Sequence, residues 1–297
     1  MNNFILGAPA DTTPHALTAA PSSLATLVEQ AIAATITMET AKRAVDGDPE
    51  TLASLGRTIA VQEGYLIEAV IAALASTHPT RLSLTGLRLP VLPAAMDLVK
   101  KNRKALYQGL SLDATMASSA TYYPDLVIAD PRSRCALILD VKRSLSGYIG
   151  GSKLGELQQR MTASALVLPD LLWRDHQRLA VETVGTAIID ASKSTTDVSD
   201  GIWPLSRLDE LLQVQHASLF ASQSIDAFRH GVRTVWRQAI SEASQASARP
   251  DASLYRTTVD TMPTAPLDDK PRARRGRPPK QRPSIKVGLI GPGLLAH

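Results

Sequence analysis

The chain has 297 residues, of which 44% are hydrophobic and only 4% aromatic, with 32 Lys/Arg against 28 Asp/Glu. That length suits one large domain or two small ones with an aliphatic core. Its single cysteine, Cys135, excludes an intramolecular disulfide and a four-cysteine zinc site. No stretch reaches the roughly 18 uninterrupted apolar residues of a membrane helix. The N-terminal MNNFILGAPADTTPHALTAAP lacks the basic n-region of a signal peptide.

The net charge of +4 is unevenly placed. Between Ala246 and His297 ten Lys/Arg face four Asp/Glu, leaving 22 against 24 in the rest of the chain. A basic tail on a near-neutral body points to a polyanionic partner rather than a membrane.

Residues 1–21, rich in Ala, Thr and Pro, are expected to be disordered, and 22–245 to form the folded domain. SSLATLVEQAIAATITMETAKRAV (22–45) reads as one helix capped by Ser22 or Ser23, broken by GDPE at 47–50. A second helix follows to about Ser76, its Ile59, Leu66, Ile67, Val70, Ile71 and Leu74 recurring at the three-and-four spacing of a buried face. RLSLTGLRLPV (81–91) alternates like a strand, Pro93 to Leu110 looks helical, and 111–121 reads as a loop. PDLVIA and CALILDVK are strands joined by the turn DPRSR. After the glycine-rich GYIGGS a helix runs through Leu168. LAVETV and GTAIIDA read as strands, and two late helices cover roughly 206–216 and 218–245. Strands bracketed by helices predict an α/β (α+β) domain with a mixed sheet covered on both faces.

The strand pair carries charge where burial should forbid it. Side chains alternate along a strand, so Asp140 and Lys142 share one face while Cys135, Leu137, Leu139 and Val141 take the other. Asp125, one tight turn away, brings a second carboxylate toward the first. Two partly buried carboxylates repel unless a cation lies between them, and oxygen ligands suit Mg²⁺. A lysine beside such a cation can orient an attacking water while the metal stabilises phosphate charge. A purely structural alternative makes Asp125 a turn cap and Asp140–Lys142 a strand-end ion pair.

Pro124-Asp125, then fourteen residues, then Asp140-Val141-Lys142, resembles the PD-(D/E)xK nuclease superfamily, which includes restriction endonucleases, Holliday-junction resolvases, recombination-associated exonucleases and transposon end-cleaving subunits. The likeness covers roughly residues 55–192. It implies a restriction-endonuclease-like fold: a helix, then a mixed sheet with the motif strands central and helices on both sides. It also implies that Asp125 and Asp140 ligate Mg²⁺ (or Mn²⁺) and that Lys142 positions the water. Many members draw a further ligand from the preceding helix within Gly-x-x-x-Glu, which Gly64 and Glu68 match; Glu63 is the competing candidate. The segment around 93–121 is longer than the family pattern requires and reads as an insertion.

In the tail (246–297, expected to be disordered), PRARRGRPPKQRP at 271–283 resembles an AT-hook. Its core is Arg275-Gly276-Arg277-Pro278, flanked by Arg274 and Lys280. The narrow minor groove of A-tract DNA attracts inserted arginines, and glycine lets the backbone approach the groove floor. GLIGPG (288–293) imitates a dinucleotide fingerprint but lacks room for the following helix and strand. GYIGGSK lacks the Gly-Lys-Ser/Thr of a phosphate-binding loop.

The sequence thus predicts a Mg²⁺-dependent DNA endonuclease, a phosphodiester hydrolase held to AT-rich duplex by its tail. One site per chain and double-strand cleavage together favour a homodimer. The expected location is cytoplasmic and nucleoid- or DNA-associated, or nuclear in a eukaryote. Two alternatives stand beside it: a catalytically inactive DNA-binding protein of replicon maintenance or chromosome organisation that keeps the fold, and a nuclease subunit active only within a transposition or defence complex.

The tail yields the first prediction. Removing residues 270–297 should flatten the salt dependence of DNA binding by roughly 0.9 in log–log slope per lost phosphate contact. Arg275→Ala with Arg277→Ala should erase preference for AT-rich duplex while leaving salt-dependent binding. Equal affinity of the intact protein for AT-rich and GC-rich duplexes would reduce the hook to a basic tail.

Overall fold

A computed structural model of the chain describes residues 15–16, 20–148, 152–192 and 198–248. They belong to one compact unit, Met1–Arg249. The tail, with its AT-hook-like residues Arg274 to Lys280, lies outside the described residues, as do most of 1–21 and the centre of the GYIGGS loop.

A two-residue strand, β1 (His15–Ala16), precedes three helices: α1 (Ser22–Thr35), α2 (Met38–Val45) and α3 (Pro49–Ala75). The single helix expected over 22–45 is therefore two. The β-branched run Thr35-Ile36-Thr37 interrupts it, and Thr37 restarts the chain with a capping box. Thr40 N–H donates to Thr37 Oγ1 at 3.2 Å, and Thr37 N–H donates to Thr40 Oγ1 at 3.0 Å. Asp48 caps α3 by accepting the Glu50 and Thr51 amides, with Pro49 fitting the first turn.

The strand expected over 81–91 is also two pieces, β2 (Leu82–Leu84) and β3 (Leu89–Val91). Gly86, at a φ of +70°, turns the chain between them. After α4 (Pro93–Lys101), β4 (Ala120–Tyr122) returns to pair antiparallel with β3, so part of the expected loop is strand. Residues 92–119 thus form an excursion closed by a two-stranded ribbon.

β5 (Leu126–Asp130) and β6 (Cys135–Lys142) form a hairpin. In its turn Asp130 Oδ1 accepts the Arg132 amide at 3.0 Å, and Arg134 takes a φ of 53°. The helix expected after it divides into α5 (Lys153–Ala165) and α6 (Leu168–Asp175), with Pro169 in the first turn of α6. The two strands expected between Leu179 and Ala191 are one, β7 (Thr183–Asp190). β8 (Ile202–Pro204), α7 (Leu208–Leu212), β9 (Val214–Gln215) and α8 (Ala217–Ala248) complete the body, β9 pairing with β1.

The central sheet runs β2-β5-β6-β7-β8, antiparallel across the first two pairings and parallel across the last two. The molecule is a mixed α/β fold. Leu126, Ile128, Leu137, Leu139, Ala187 and Ile189 pack on one face with α1, α3 and α8. Val127, Ala129, Ala136, Ile138 and Ile188 pack on the other with α5, α6 and the β3–β4 ribbon. Among the described residues α3 alone has the length and mean hydropathy, 1.4, to cross a membrane, but it buries Leu66, Ile67, Val70, Ile71 and Leu74 in the core.

Phe228 of α8 is fully buried in the first of these cores. Phe228→Ala should lower unfolding free energy by about 3–5 kcal/mol in denaturant titration. Leu106→Ala, at a side chain 69% exposed, should stay within about 0.5 kcal/mol of the parent.

Candidate functional site

The turn of the β5–β6 hairpin fixes the register that brings Asp125 to the end of β6. β5 begins at Leu126, paired with Leu139, so Asp125 precedes it opposite Asp140. There Asp125 Oδ2 accepts the Val141 amide at 2.6 Å. Asp140 shares the sheet face of Ala136 and Ile138 and is almost wholly buried, 3% exposed. Lys142, two residues on, lies in ion-pair contact with Asp140 Oδ1 and 3.7 Å from Asp125 Oδ2. The expected alternation is present, and so is the Asp140–Lys142 ion pair of the structural alternative. Asp125, however, caps no turn but bonds across to the neighbouring strand.

Two further side chains enter from outside the hairpin. Tyr122, buried at the end of β4, donates its hydroxyl to Asp140 Oδ2 at 3.0 Å. Glu68 projects from α3 into a cleft of about 370 Å³ that Asp125 also lines, with Tyr65, Ala69, Ala72, Gly86 and Tyr123. Glu68, Ala69 and Ala72 follow Tyr65 at i+3, i+4 and i+7, on one face of the helix. A larger cavity, about 500 Å³ and lined by Tyr107, Gln158, Thr186 and Trp203 among others, contains none of the candidate residues.

Glu63 goes elsewhere. It is buried, accepts Arg229 Nε–H of α8 at 2.6 Å through Oε1, and pairs with Arg143 Nη1 at 3.6 Å through Oε2. Of the two glutamates, Glu68 stands with Asp125 and Glu63 ties α3 to α8.

Burial first, then the Asp125 charge, pushes the Glu68 carboxyl up to about 7, with Lys142 opposing and Asp140 adding. Asp125 is raised by burial and by Asp140, against the Val141 amide and Lys142. Burial alone would lower the Lys142 ammonium, but Asp140 and then Asp125 outweigh it and hold it above its ordinary value. Beside these two carboxylates Lys142 is held as a cation. Burial and the adjoining Asp140 likewise keep Tyr122 protonated.

Two carboxylates thus contact one ammonium, and a third, Glu68, stands within electrostatic reach of all three groups. Asp140 Oδ1 is buried, and the Lys142 ammonium meets it in ion-pair contact. Among the described residues no three His, Cys, Asp or Glu side chains form a group that could hold a metal ion. The donor set instead fits a hard cation taking one or two protein carboxylates and completing its shell with water and phosphate oxygens.

Compared with protein-family models, curated proteins and solved structures, the chain matches none.

In the sequence Tyr122 and Tyr123 could stack on a base, with strand-edge packing the better expectation. Tyr122 was not foreseen as a partner of Asp140, because that link depends on β4 pairing with β3 rather than on any local pattern. Its place two residues before Pro124-Asp125 was the available signal.

Glu68 gives a pH prediction. Its folded value near 7 lies above the ordinary 4.5, so between these values the folded chain holds a proton the unfolded chain has released. Stability from this group is full below the lower value and lost as pH rises through the upper one. Thermal unfolding of the parent and Glu68→Gln should therefore coincide near about pH 4, with the variant more stable at about pH 8. A constant offset at every pH would exclude ionisation as the cause.

Proposed function

We propose that this chain is a metal-dependent DNA endonuclease with a restriction-endonuclease-like fold. The observation that carries this reading is the gathering of Asp125 and Asp140 about the Lys142 ammonium at the ends of adjacent strands, with Glu68 of α3 lining the cleft beside Asp125. The element order α3, β2, β5, β6, α5, β7 supports it, since the resemblance implies a helix followed by a mixed sheet with both motif strands central and helices on both sides.

Asp125 and Asp140 would be the one or two protein carboxylates that hold Mg²⁺ or Mn²⁺. Glu68, which lines the cleft beside Asp125, is the further ligand the resemblance implies, although the described residues form no three-residue metal group. The cation would supply charge stabilisation at phosphate and a more acidic water. The chain's own residues do the rest. The Val141 amide fixes Asp125, and Tyr122 fixes Asp140. The Lys142 ammonium, 24% exposed in its side chain, offers its protons to a water or a phosphate oxygen at the edge of the cleft. AT-rich duplex is the partner proposed for the tail, and a homodimer is the assembly proposed for double-strand cleavage.

A second reading has an observation in its favour. The ion pairs of Lys142 with both aspartates already compensate part of the charge, as in a DNA-binding protein that keeps the fold without the chemistry. Incubation with supercoiled plasmid separates the two. The parent should nick it with Mg²⁺ or Mn²⁺ and not with chelator. Asp140→Asn should abolish nicking, and Lys142→Ala should slow it by about 10²-fold or more with little change in DNA affinity in Ca²⁺. Metal-dependent nicking at the parent rate in Lys142→Ala would overturn the assignment of that residue. Plasmid left intact under every metal condition, with DNA binding retained, would remove the self-sufficient endonuclease and leave the binding protein or a subunit active only within a complex.

A further inference from the structure

Large apolar side chains left in water are informative when they gather at a cleft. Tyr65 and Tyr123 are 59% and 56% exposed, and both line the cleft that holds Glu68 and Asp125. They come from different elements: Tyr65 from α3, one helical turn before Glu68, and Tyr123 from the link between β4 and Pro124-Asp125. Neither is needed by the core. The aromatic side chain next to Tyr123, Tyr122, is the one that is buried.

Tyr123 is also held in place. The Arg88 guanidinium lies over its ring, 5.6 Å from the centroid, and donates Nη2–H to its hydroxyl at 3.1 Å. The ring is thus oriented while more than half exposed, which lowers the entropy a stacking partner would otherwise have to offset. Between the two tyrosines the walls are small. Ala69 and Ala72 present methyl groups, and a Cβ added at Gly86 would meet nothing within 4 Å. The cleft has room for a flat group beside the carboxylates.

We infer that Tyr65 and Tyr123 form a stacking site for an unpaired nucleobase, so that the preferred substrate is DNA with a single-stranded or frayed segment at the site rather than continuous duplex. This rests on the nuclease reading for the identity of the ligand. Every base has a π face, so two exposed tyrosines beside a phosphate-directed cluster bind unpaired strand without reading its sequence. A base inside an intact duplex is stacked on its neighbours and presents no face. The carboxylates repel a bare phosphodiester, so a divalent cation should strengthen binding of the strand.

The test uses the full chain in Ca²⁺, with a fluorescent oligothymidylate, a blunt duplex, and the same duplex bearing an unpaired flap. Because every variant keeps the tail, its contribution cancels in each ratio to the parent. Tyr65→Ala and Tyr123→Ala should each weaken binding of the oligothymidylate roughly fivefold to a hundredfold. Tyr65→Phe and Tyr123→Phe, which keep the ring, should bind like the parent. Blunt-duplex affinity should not change in any of them, and the flap should restore the dependence on both rings. Thermal unfolding at the parent temperature, as expected for exposed positions, rules out loss of folding as the cause. Parent-like oligothymidylate binding by both alanine variants, with metal-dependent plasmid nicking intact, would overturn the stacking site and leave the nuclease reading standing. Weakened oligothymidylate binding in those variants, with no nicking by the parent, would uphold the stacking site and remove the reading of the isolated chain as a nuclease. Equal dependence of blunt-duplex binding on the two rings would overturn the preference for unpaired strand.

Discussion

Asp140 is a carboxylate in the central strand of the sheet, 3% exposed, and much of the surrounding structure can be read as making that position tolerable. Removing such a group from water costs several kcal/mol unless its oxygens are met. Lys142 meets one oxygen from the same strand and the same face. Tyr122 meets the other, from a ribbon that has to close over 28 residues before its hydroxyl can arrive. Compensation is incomplete because Asp125 and Glu68 bring two further carboxylates to a cluster with one ammonium. The raised Glu68 and Asp125 record that imbalance.

α3 shows how neighbours decide what a glutamate does. Glu63 and Glu68 are five residues apart and so diverge by about 140° around the helix. Glu63 turns toward α8 and finds Arg229 and Arg143; it is a buried anion with two cations, a fastening between helices. Glu68 turns toward the sheet edge and finds two aspartates and a shared lysine. Breaking the Glu63 pairing would leave an unpaired buried charge. Neutralising Glu68 removes a repulsion.

The hairpin was legible because its signals are local. Two apolar runs, an Asp-Pro start and a polar turn specify β5 and β6, and the period of two then places Asp140 with Lys142. The long helix α3 was legible from its apolar spacing. The breaks were less so. Hydropathy continues through Thr35-Ile36-Thr37, and only the reciprocal bonding of Thr37 with Thr40 marks a new helix. The alternation of 81–91 changes phase at Thr85-Gly86, from Leu82 and Leu84 to Leu87, Leu89 and Val91, and the turn at Gly86 sends its two halves to different sheets. The partners of Asp140 and Glu63 were illegible for another reason. Tyr122 and Arg229 are set by tertiary register, 18 and 166 positions away, and no periodicity carries that information.

The direction of the strands explains why the charges gather at one end. β5 runs antiparallel to β6, so its beginning meets the end of β6; β7 runs parallel, so its end arrives there too. Asp125 stands before the first residue of β5, Asp140 and Lys142 close β6, and Asp190, the register partner of Lys142, closes β7 with its Oδ1 accepting the Ser192 amide at 2.9 Å. The middle of the sheet, Val127 to Ala129 against Ala136 to Ile138, is buried on both faces and carries no charge. At the edge, Asp125 and Lys142 keep about a fifth of their side-chain surface in solvent, 21% and 24%. A slip of one residue in the β5–β6 register would turn Asp140 onto the face of Leu137 and Leu139, where α3 and α8 pack and neither Tyr122 nor a cation could follow. The charges at the end of the sheet therefore help to specify the register that displays them.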